Sequence, residues 1–282
     1  YRHDPKNPSS LADDRVMCVY DDSGNDLWVG TLAQGLDRLD KKTGAFYHYN
    51  ISVPNSIRNN YVSSITEDSR HQLWIGTGYG IDVLDKSSGR FVHYSSDSNG
   101  LSSDNVNYLL CDSHGYMWVG TRAGLPLFDP ARHRFQSFTP ENGLPDNTIQ
   151  CVIEDKQHDI WVSTLNGVSR LSGDWSAPPG GLHPVFNNFY ESDGLQGREF
   201  SEKAGLLVTA GNMLLGGHNG LNLFDPTRIV HRKSIPPMVL TDLQLFNRIV
   251  RPGETINGHT ILDRSLSSTS EITLRHNDNV FS

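Results

Sequence analysis

A tetrapeptide that recurs along the chain constrains its fold more than any other feature. Versions of Trp-Val-Gly-Thr occupy residues 28–31, 74–77, 118–121 and 161–164, and a weaker copy lies at 214–217. The tryptophans are 46, 44 and 43 residues apart, and the step to Leu214 is 53. Repeats in the low to mid forties are typical of the blades of a β-propeller. The repeat therefore has to be explained before any single motif.

Each repeat unit consists of short apolar runs separated by turn-forming residues. In the third unit an apolar run at 106–110 leads to an Asp-rich turn, then to the Trp strand at 117–121 and to further runs at 124–129 and 135–138. Runs of about four to eight residues without a 3.6-residue period predict strands. Four such strands form one antiparallel blade, and stacked blades bury faces that one blade leaves open. We therefore predict an all-β fold, a β-propeller with four-stranded antiparallel blades in which five repeat units form an incomplete ring.

The repeat pattern of the propeller ends after Arg228, and a Pro-containing stretch begins at residue 234. Residues 238–246 and 271–274 are predicted to be strands of a different domain. We divide the chain into a partial β-propeller at 1–233 and the start of a β-sandwich domain at 234–282, which is too short to be complete. Because Tyr1 falls where the last strand of a preceding unit would finish, the chain is expected to be a fragment.

The charge balance and the hydropathy exclude two classes of partner. The chain has 24 basic and 32 acidic residues, a formal net charge of −8, and no long basic run. A nucleic-acid-binding surface is therefore not expected in this region. No apolar run is long enough to span a membrane, so membrane contact is expected only through segments outside this chain.

The repeat motifs resemble a known family. Leu-Trp-Ile/Val-Gly-Thr, the following Gly-Leu/Ile and Leu/Phe-Asp, and the Asn-Gly-Leu-x-x-Asn-x-Val that opens the next unit are similar to the two-component-regulator propeller repeat. Residues 193–200 and 215–226 look like that family's last blade, although the family usually has Asn at the position of Arg198. Residues 236–247 resemble the opening strand of the small Ig-like β-sandwich that follows the propellers in these proteins.

This resemblance implies the periplasmic sensor region of a membrane-spanning hybrid two-component system, from bacteria that degrade polysaccharides. The signal would be an oligosaccharide released from a glycan, and the histidine kinase would lie in parts of the protein outside this chain. The full-length sensor is expected to form a homodimer. Because the family's propellers have seven blades, the five units would be the C-terminal part of a ring that is incomplete or is completed by another chain.

The repeat also separates scaffold positions from candidate ligand positions. Asx residues recur fourteen residues before each Trp, at Asp14, Asn60, Asp104 and Asn147, where they are expected to bond nearby backbone. The next position varies, as does the turn after the Trp strand, and both are expected at one mouth of the propeller. The predicted ligand-binding residues are Arg15, Tyr61, Tyr79, Asn105, Arg122, Asn166, Arg198, Glu199, His218 and Asn219. The alternative for each is an ordinary exposed loop residue.

Mixed donors and acceptors at this mouth suit sugar hydroxyls, and the arginines favour carboxylate or sulfate groups. A ligand near the junction with the sandwich would instead involve Arg228 and His231. No cofactor is expected. No metal site is expected either: His71, His114 and His158 recur in the Asp-rich turns, but on successive blades they are predicted to lie too far apart to share an ion.

Two other functions stay open. A propeller glycosidase or polysaccharide lyase needs paired carboxylates or a comparable acid–base set. The mouth offers one acid outside the repeat pattern, Glu199, so no catalytic residue is predicted and this region is expected not to be an enzyme. A propeller that serves only as a protein–protein or dimerisation platform is the third possibility.

Overall fold

The chain divides into two compact units, Tyr1–Val230 and His231–Ser282. The computed structural model describes residues 1–176, 181–229, 241–269, 271–278 and 280. The predicted boundary at residue 234 lies outside the described residues and stays a prediction.

The first unit is built from five antiparallel sheets that follow one another along the chain. Four of them are four-stranded, and each pairs its strands in sequence order. The strands are β1 (Val16–Asp21), β2 (Leu27–Thr31), β3 (Leu36–Leu39) and β4 (Phe46–Tyr49); β5 (Val62–Glu67), β6 (Gln72–Thr77), β7 (Gly80–Asp85) and β8 (Arg90–Tyr94); β9 (Val106–Cys111), β10 (Met117–Thr121), β11 (Leu125–Asp129) and β12 (Arg134–Phe138); β13 (Ile149–Glu154), β14 (Ile160–Thr164), β15 (Gly167–Ser172) and β16 (Val185–Phe189); and β17 (Phe200–Leu207), β18 (Met213–Gly217) and β19 (Gly220–Phe224). The helical elements described in this unit are one turn of α-helix, α1 (Ser96–Asn99), and the 3-10 turns Pro140–Asn142, Glu191–Asp193 and Pro226–Arg228.

The sheets are arranged as propeller blades. The first strands β1, β5, β9, β13 and β17 contact one another in order, so each blade packs on the next through its inner strand. The tryptophan of each Trp strand is at most 2% exposed and fills the space between two blades. Trp28, for example, packs with Val62 and Ile75 of the second blade. The predicted all-β propeller fold is confirmed.

The fifth blade has three strands among its described residues, β17-β18-β19. Residues 230–240 lie outside the described residues, so a fourth strand of this blade stays a prediction. Its first strand contains a bulge, because Phe200 pairs with Gly217 whereas Gly205 pairs with Leu215. The residues of the bulge, 201–204, stand outside the regular ladder. A bulge re-aims side chains, and this one lies where the inner strands meet.

A buried or half-buried aspartate holds each tryptophan in place. The indole Nε1–H donates to the aspartate six residues earlier, at the start of the turn between the first and second strands. The four bonds are Trp28–Asp22 at 2.9 Å, Trp74–Asp68 at 3.0 Å, Trp118–Asp112 at 2.8 Å and Trp161–Asp155 at 2.7 Å. The second carboxylate oxygen of each aspartate accepts backbone N–H groups of the same turn. The Asp-rich turns therefore belong to the scaffold.

The second unit contains two short antiparallel ladders, Gln244–Leu245 with Arg248–Ile249 and Thr255–Ile256 with His259–Thr260, and a 3-10 turn at Leu266–Ser268. Its core contains Leu243, Leu245, Val250, Ile261 and Leu262. Its assignment as the first strands of a β-sandwich stays a prediction.

Two strand predictions in the second unit differ from the structure. Of the strand predicted at 238–246, the described part forms a strand only at Gln244–Leu245, and 238–240 lie outside the described residues. The strand predicted at 271–274 is wrong, because these residues form no ladder with any part of the chain that the structure describes. Ile272 and Leu274 pack on the core of the second unit, although their backbone is irregular. The alternation of apolar residues here therefore reflects burial of the side chains and not pairing of a strand. Nowhere in the described residues is a helix long and apolar enough to cross a membrane.

Candidate functional site

The start of each blade is fixed by local side-chain caps. Asp13, Asn59, Ser103 and Asp146 each accept the backbone N–H two residues along the chain, at 3.0, 2.8, 3.2 and 2.7 Å. This is the Asx or Ser turn that short polar residues favour. The residue that receives the bond is the variable position, so the turn holds the backbone of Arg15, Tyr61, Asn105 and Thr148 in place.

Three of the four recurrent Asx residues have the structural role that was predicted, and for the side chain of Asn147 it stays a prediction. The carboxylates of Asp14 and Asp104 accept the backbone N–H of His3 and Ser96, both at 2.7 Å, and Asn60 accepts that of Ile51 at 3.1 Å. Backbone bonds also join neighbouring blades at this position. The glycine at or just before the start of the third strand donates to the next blade. The bonds run from Gly35 to Asn60 at 2.9 Å, from Gly80 to Asp104 at 2.8 Å, from Gly124 to Asn147 at 2.7 Å and from Gly167 to Arg198 at 2.7 Å.

The two variable sets lie at the same end of the propeller, as strand order predicted. The turn after the Trp strand donates to the carbonyl of the first-strand residue in the same blade. The bonds run from Leu32 to Arg15 at 2.9 Å, from Gly78 to Tyr61 at 3.2 Å and from His218 to Glu199 at 3.4 Å. This end of the propeller is called the mouth below.

A groove at the mouth of the fifth blade gathers four of the predicted residues. It has a volume of about 260 Å³ and is lined by Glu191, Arg198, Glu199, His218 and Asn219. The Glu199 carboxylate is 3.0 Å from Nδ1 of His218, and both side chains are more than half exposed. The backbone N–H of Asn219 donates to Gln196 at 2.8 Å. We call these five lining residues the mouth groove.

A fifth predicted residue, Asn166, fixes the cation of the mouth groove. Its amide oxygen accepts hydrogen bonds from Arg198 Nε at 3.2 Å and Nη2 at 3.0 Å. Its own amide nitrogen donates to the carbonyl of Pro145 at 3.2 Å. The amide is therefore anchored on the fourth blade, and it orients a guanidinium that belongs to the fifth.

The sequence prediction missed one charged residue, Glu202, whose carboxylate acts on the Tyr61 phenol. Burial raises the pKa of the Tyr61 phenol, the carboxylate of Glu202 raises it further, and Arg122 opposes the rise. Glu202 lies in the bulge of β17, and its charge acts on the Tyr61 phenol of the second blade. The sequence contained a sign of this bulge, because the fifth unit is longer at this point. Leu214 follows Phe200 by fourteen residues, whereas Trp161 follows Ile149, the corresponding residue of the fourth unit, by twelve.

The other predicted residues do not converge on the mouth groove through any described contact. Arg15 forms a two-point ion pair with Asp13, at 3.1 Å from Nε and 3.0 Å from Nη2. Tyr79 is half exposed and Asn105 is exposed. Of the junction alternative, Arg228 pairs with Asp225 at 3.3 Å, and His231 lies outside the described residues.

The expected distance between histidines of successive blades is wrong for one pair. The rings of His114 and His158 have their centroids 5.1 Å apart. Together with Glu154 they place three ligand atoms within 4.8 Å of one another. The prediction treated the blades as separate, whereas the Asp-rich turns of neighbouring blades touch.

Comparison with known proteins identifies the repeat. The family described as two component regulator propeller matches residues 10–33, 56–79, 100–123 and 143–166, the segments that contain the first two strands of blades one to four. A histidine kinase of Formosa agariphila is 26% identical over 142 residues, which is 50% of this chain and 10% of that protein. The extracellular domain of a putative hybrid two-component system from B. thetaiotaomicron matches 87% of this chain and 32% of its own, at 29% identity and a TM-score of 0.71.

More distant structures share the fold alone. Virginiamycin B lyase from Staphylococcus aureus superimposes with a TM-score of 0.57 at 14% identity, covering 77% of this chain and 71% of the lyase. The chain spans about a third of the sensor structure, and a tenth of the curated kinase.

Proposed function

Since its repeats are those of the two-component regulator propeller family, we propose that this chain is part of the periplasmic sensor region of a hybrid two-component system, and that it binds an oligosaccharide without turning it over. The similarity to the extracellular domain of such a system supports the sensor role. The kinase would lie elsewhere in the full-length protein, which is expected to dimerise.

The mouth groove is the observation that carries the proposal. Its lining combines a guanidinium, two carboxylates, an imidazole and an amide within about 260 Å³. Sugar hydroxyls both donate and accept, so a mixed lining of this kind can satisfy them, whereas an apolar pocket cannot. The groove is also open and concave, as the surface of a transient signal receptor needs to be.

The pairing of Arg198 with Asn166 supports an acidic or sulfated oligosaccharide. The amide oxygen engages Nε and Nη2, which leaves the Nη1 edge of the guanidinium for a ligand. A guanidinium held in one orientation loses less rotational freedom when it binds a carboxylate or sulfate, and such charge-assisted bonds are the strong ones. Glu191 and Glu199 would then face the neutral hydroxyls of the same sugar.

The enzyme alternative gains one observation from the structure. Glu191 lines the same groove as Glu199, so the mouth contains two carboxylates that are not part of the repeat. A glycosidase needs such a pair, with one of the two acting as a proton donor in an apolar setting. Glu199 is instead more than half exposed and paired with His218. The pair therefore fits hydroxyl recognition better than acid catalysis.

Calorimetry of the complete sensor region against a panel of neutral, uronic-acid and sulfated oligosaccharides tests the proposal. We expect one class to bind with a saturable heat, and chromatography of the mixture to show the sugar unchanged. If no oligosaccharide gives heat or shifts the melting temperature, the sensing proposal fails. Shorter sugar products would establish the enzyme alternative.

A further inference from the structure

A cluster of ligand-type side chains lies between the third and fourth blades, where their Asp-rich turns meet. It consists of His114 from the third blade and Glu154 and His158 from the fourth. The Asp-rich turn joins the first strand to the second, so it is at the end of the blade opposite the mouth. The cluster is therefore separate from the mouth groove.

The cluster is held by its neighbours. The backbone N–H of Ser113 donates to Glu154 Oε2 at 2.8 Å, and the Ser113 hydroxyl donates to Oε1. The Ser113 hydroxyl is also 2.7 Å from His158 Nδ1. His158 Nδ1 lies 2.9 Å from Glu154 Oε1. Bonds that orient a carboxylate and an imidazole in this way are typical of the surroundings of metal ligands.

The chain contains its own comparison at the junction of the first and second blades. There Ser23, Glu67 and His71 repeat the arrangement, with the Ser23 hydroxyl 2.9 Å from both Glu67 Oε1 and His71 Nδ1. A cation completes that junction. The ammonium of Lys86 is 2.7 Å from Glu67 Oε1 and 2.7 Å from Asp22 Oδ2.

Two residue differences separate the junction of the third and fourth blades from the junction of the first and second blades. The residue that corresponds to Lys86 in the fourth blade is Gly173, which carries no charge. The residue that corresponds to Gly24 is His114, which adds a second imidazole. Glu154 and the buried Asp112 thus have the setting of Glu67 and Asp22 without the lysine, and the imidazole of His114 lies beside Glu154.

We propose that the junction of the third and fourth blades binds one divalent transition-metal ion, with His114, Glu154 and His158 as its protein ligands. The ion takes the place that the Lys86 ammonium has at the other junction and neutralises the carboxylates there. Two imidazoles and a carboxylate suit Zn²⁺, and also Ni²⁺ or Cu²⁺, better than Ca²⁺ or Mg²⁺, which prefer oxygen ligands.

The site is open on one side. His114 is exposed and the His158 side chain is 53% exposed, so water fills the remaining coordination positions. Ligand atoms within 4.8 Å of one another reach a common ion at about 2.0–2.2 Å after small rotations of the exposed imidazoles. We assign the ion a structural role, because it clamps two neighbouring blades.

The test is calorimetric titration of the chelator-treated protein with ZnCl₂ alone. We expect one saturable site per chain, and a rise in melting temperature that saturates at the same stoichiometry because an ion that binds only the folded state stabilises it. His114→Gly introduces the residue that the first blade has at this position, and Glu154→Gln removes the charge with little change of shape. Each is expected to lower Zn²⁺ affinity by at least about tenfold.

A matched control is His71→Ala, at the junction where Lys86 holds the carboxylates. It is expected to leave the stoichiometry and affinity for Zn²⁺ unchanged. The proposal is overturned if the wild-type protein shows no saturable site, or if His114→Gly and Glu154→Gln both bind Zn²⁺ as tightly as the wild type. Binding that is lost in His71→Ala and kept in His114→Gly would assign the ion to the other junction and also overturn it.

Discussion

Arg198, at the start of the fifth blade, donates two hydrogen bonds to the amide oxygen of Asn166 in the fourth, over 3.2 Å from Nε and 3.0 Å from Nη2. The backbone joins the same two turns, because the N–H of Gly167 donates to the carbonyl of Arg198 at 2.7 Å. The side-chain contact therefore rests on a fixed backbone distance. An arginine that would otherwise be a mobile surface charge is aimed at the mouth groove.

Replacing Arg198 is expected to weaken oligosaccharide binding. Arg198→Lys keeps the charge but loses the planar fork that engages Asn166, so we expect an affinity loss of about tenfold, or about 1.4 kcal/mol, for the acidic or sulfated ligand found by calorimetry. Asn166→Ala is expected to have a similar effect from the other side of the contact. Arg132→Lys, far from the mouth in an exposed turn, is the control, and an equal loss there would show a general charge effect.

Arg122 and Tyr79 stand at the turns of the mouth outside the groove. If the ligand extends across the mouth, Arg122→Ala or Tyr79→Ala lowers its affinity by a few fold, while the melting temperature stays nearly unchanged because both side chains are exposed. Calorimetry and thermal unfolding of the same samples separate the two effects. A large fall in melting temperature would mean that these residues are structural.

Removing the aspartate that holds a tryptophan is expected to destabilise the propeller. Asp112→Ala leaves the buried indole N–H of Trp118 without its acceptor, together with two backbone N–H groups of the turn. A buried unsatisfied donor costs about 1–3 kcal/mol. Urea unfolding measures the change, with Asp174→Ala in the exposed loop between β15 and β16 as the control. Equal stability of the two variants would contradict the structural role of Asp112.

Lys86 makes stability depend on pH. Burial acts to raise the pKa of Asp22 and of Glu67, but both pKa values are lowered, because hydrogen bonds from Lys86 act together with those from Trp28 and Asp26 on Asp22 and from Ser23 on Glu67. The lowered pKa values contribute stability above the unfolded-state values of 3.8 and 4.5, and this contribution is lost as the pH falls through the folded-state values.

Lys86→Met is therefore expected to cost about 1–3 kcal/mol at pH 7, since it leaves two carboxylates without their cation. The difference from the wild type should shrink below about pH 4.5, where the carboxylates of the variant become protonated. Unfolding free energies measured from pH 3 to 8 check this. A difference that is constant with pH would mean that Lys86 acts through packing alone.

The glycine that follows the Trp and the next residue in the Trp strand lies close to the neighbouring blade, so we expect a side chain at this position to clash. A Cβ at Gly76 would lie 2.6 Å from Val106 Cγ1. Gly76→Ser is therefore expected to destabilise the protein by about 1–3 kcal/mol through overpacking. The fourth blade already has Ser163 at this position, so Ser163→Gly is the matched change in the other direction, for which a smaller effect is expected. Urea unfolding of the two variants decides.

The histidines of the Asp-rich turns show how sequence reasoning failed. The repeat correctly put His114 and His158 in the same turn of successive blades, one position apart, and a separation of 44 residues suggested a large distance. Yet blades pack face to face, so residues one repeat apart are neighbours in space. Their ring centroids lie 5.1 Å apart. The period gives the separation along the chain and not the distance between blades.

The prediction of a strand at 271–274 was wrong for a different reason. Alternating apolar residues show which side chains are buried, and Ile272 and Leu274 do pack on the core of the second unit. Whether such a segment is a strand depends on a partner with free N–H and C=O groups, which is not a local property. Inside the propeller the same reasoning was correct, because each repeat contains the partner next to it in sequence.

The sequence by itself determined the blades: their number among the visible repeats, the order of their strands, the buried tryptophans and the end at which the variable residues lie. These follow from local alternation, turn chemistry and a period, all of which are contained within about 44 residues. Only the tertiary structure decided which variable residues meet. Arg198 contacts Asn166, the charge of Glu202 in the bulge raises the pKa of the Tyr61 phenol, and His114 meets His158 because blades stack. Stacking distances and bulges arise from packing between units that no repeat encodes alone.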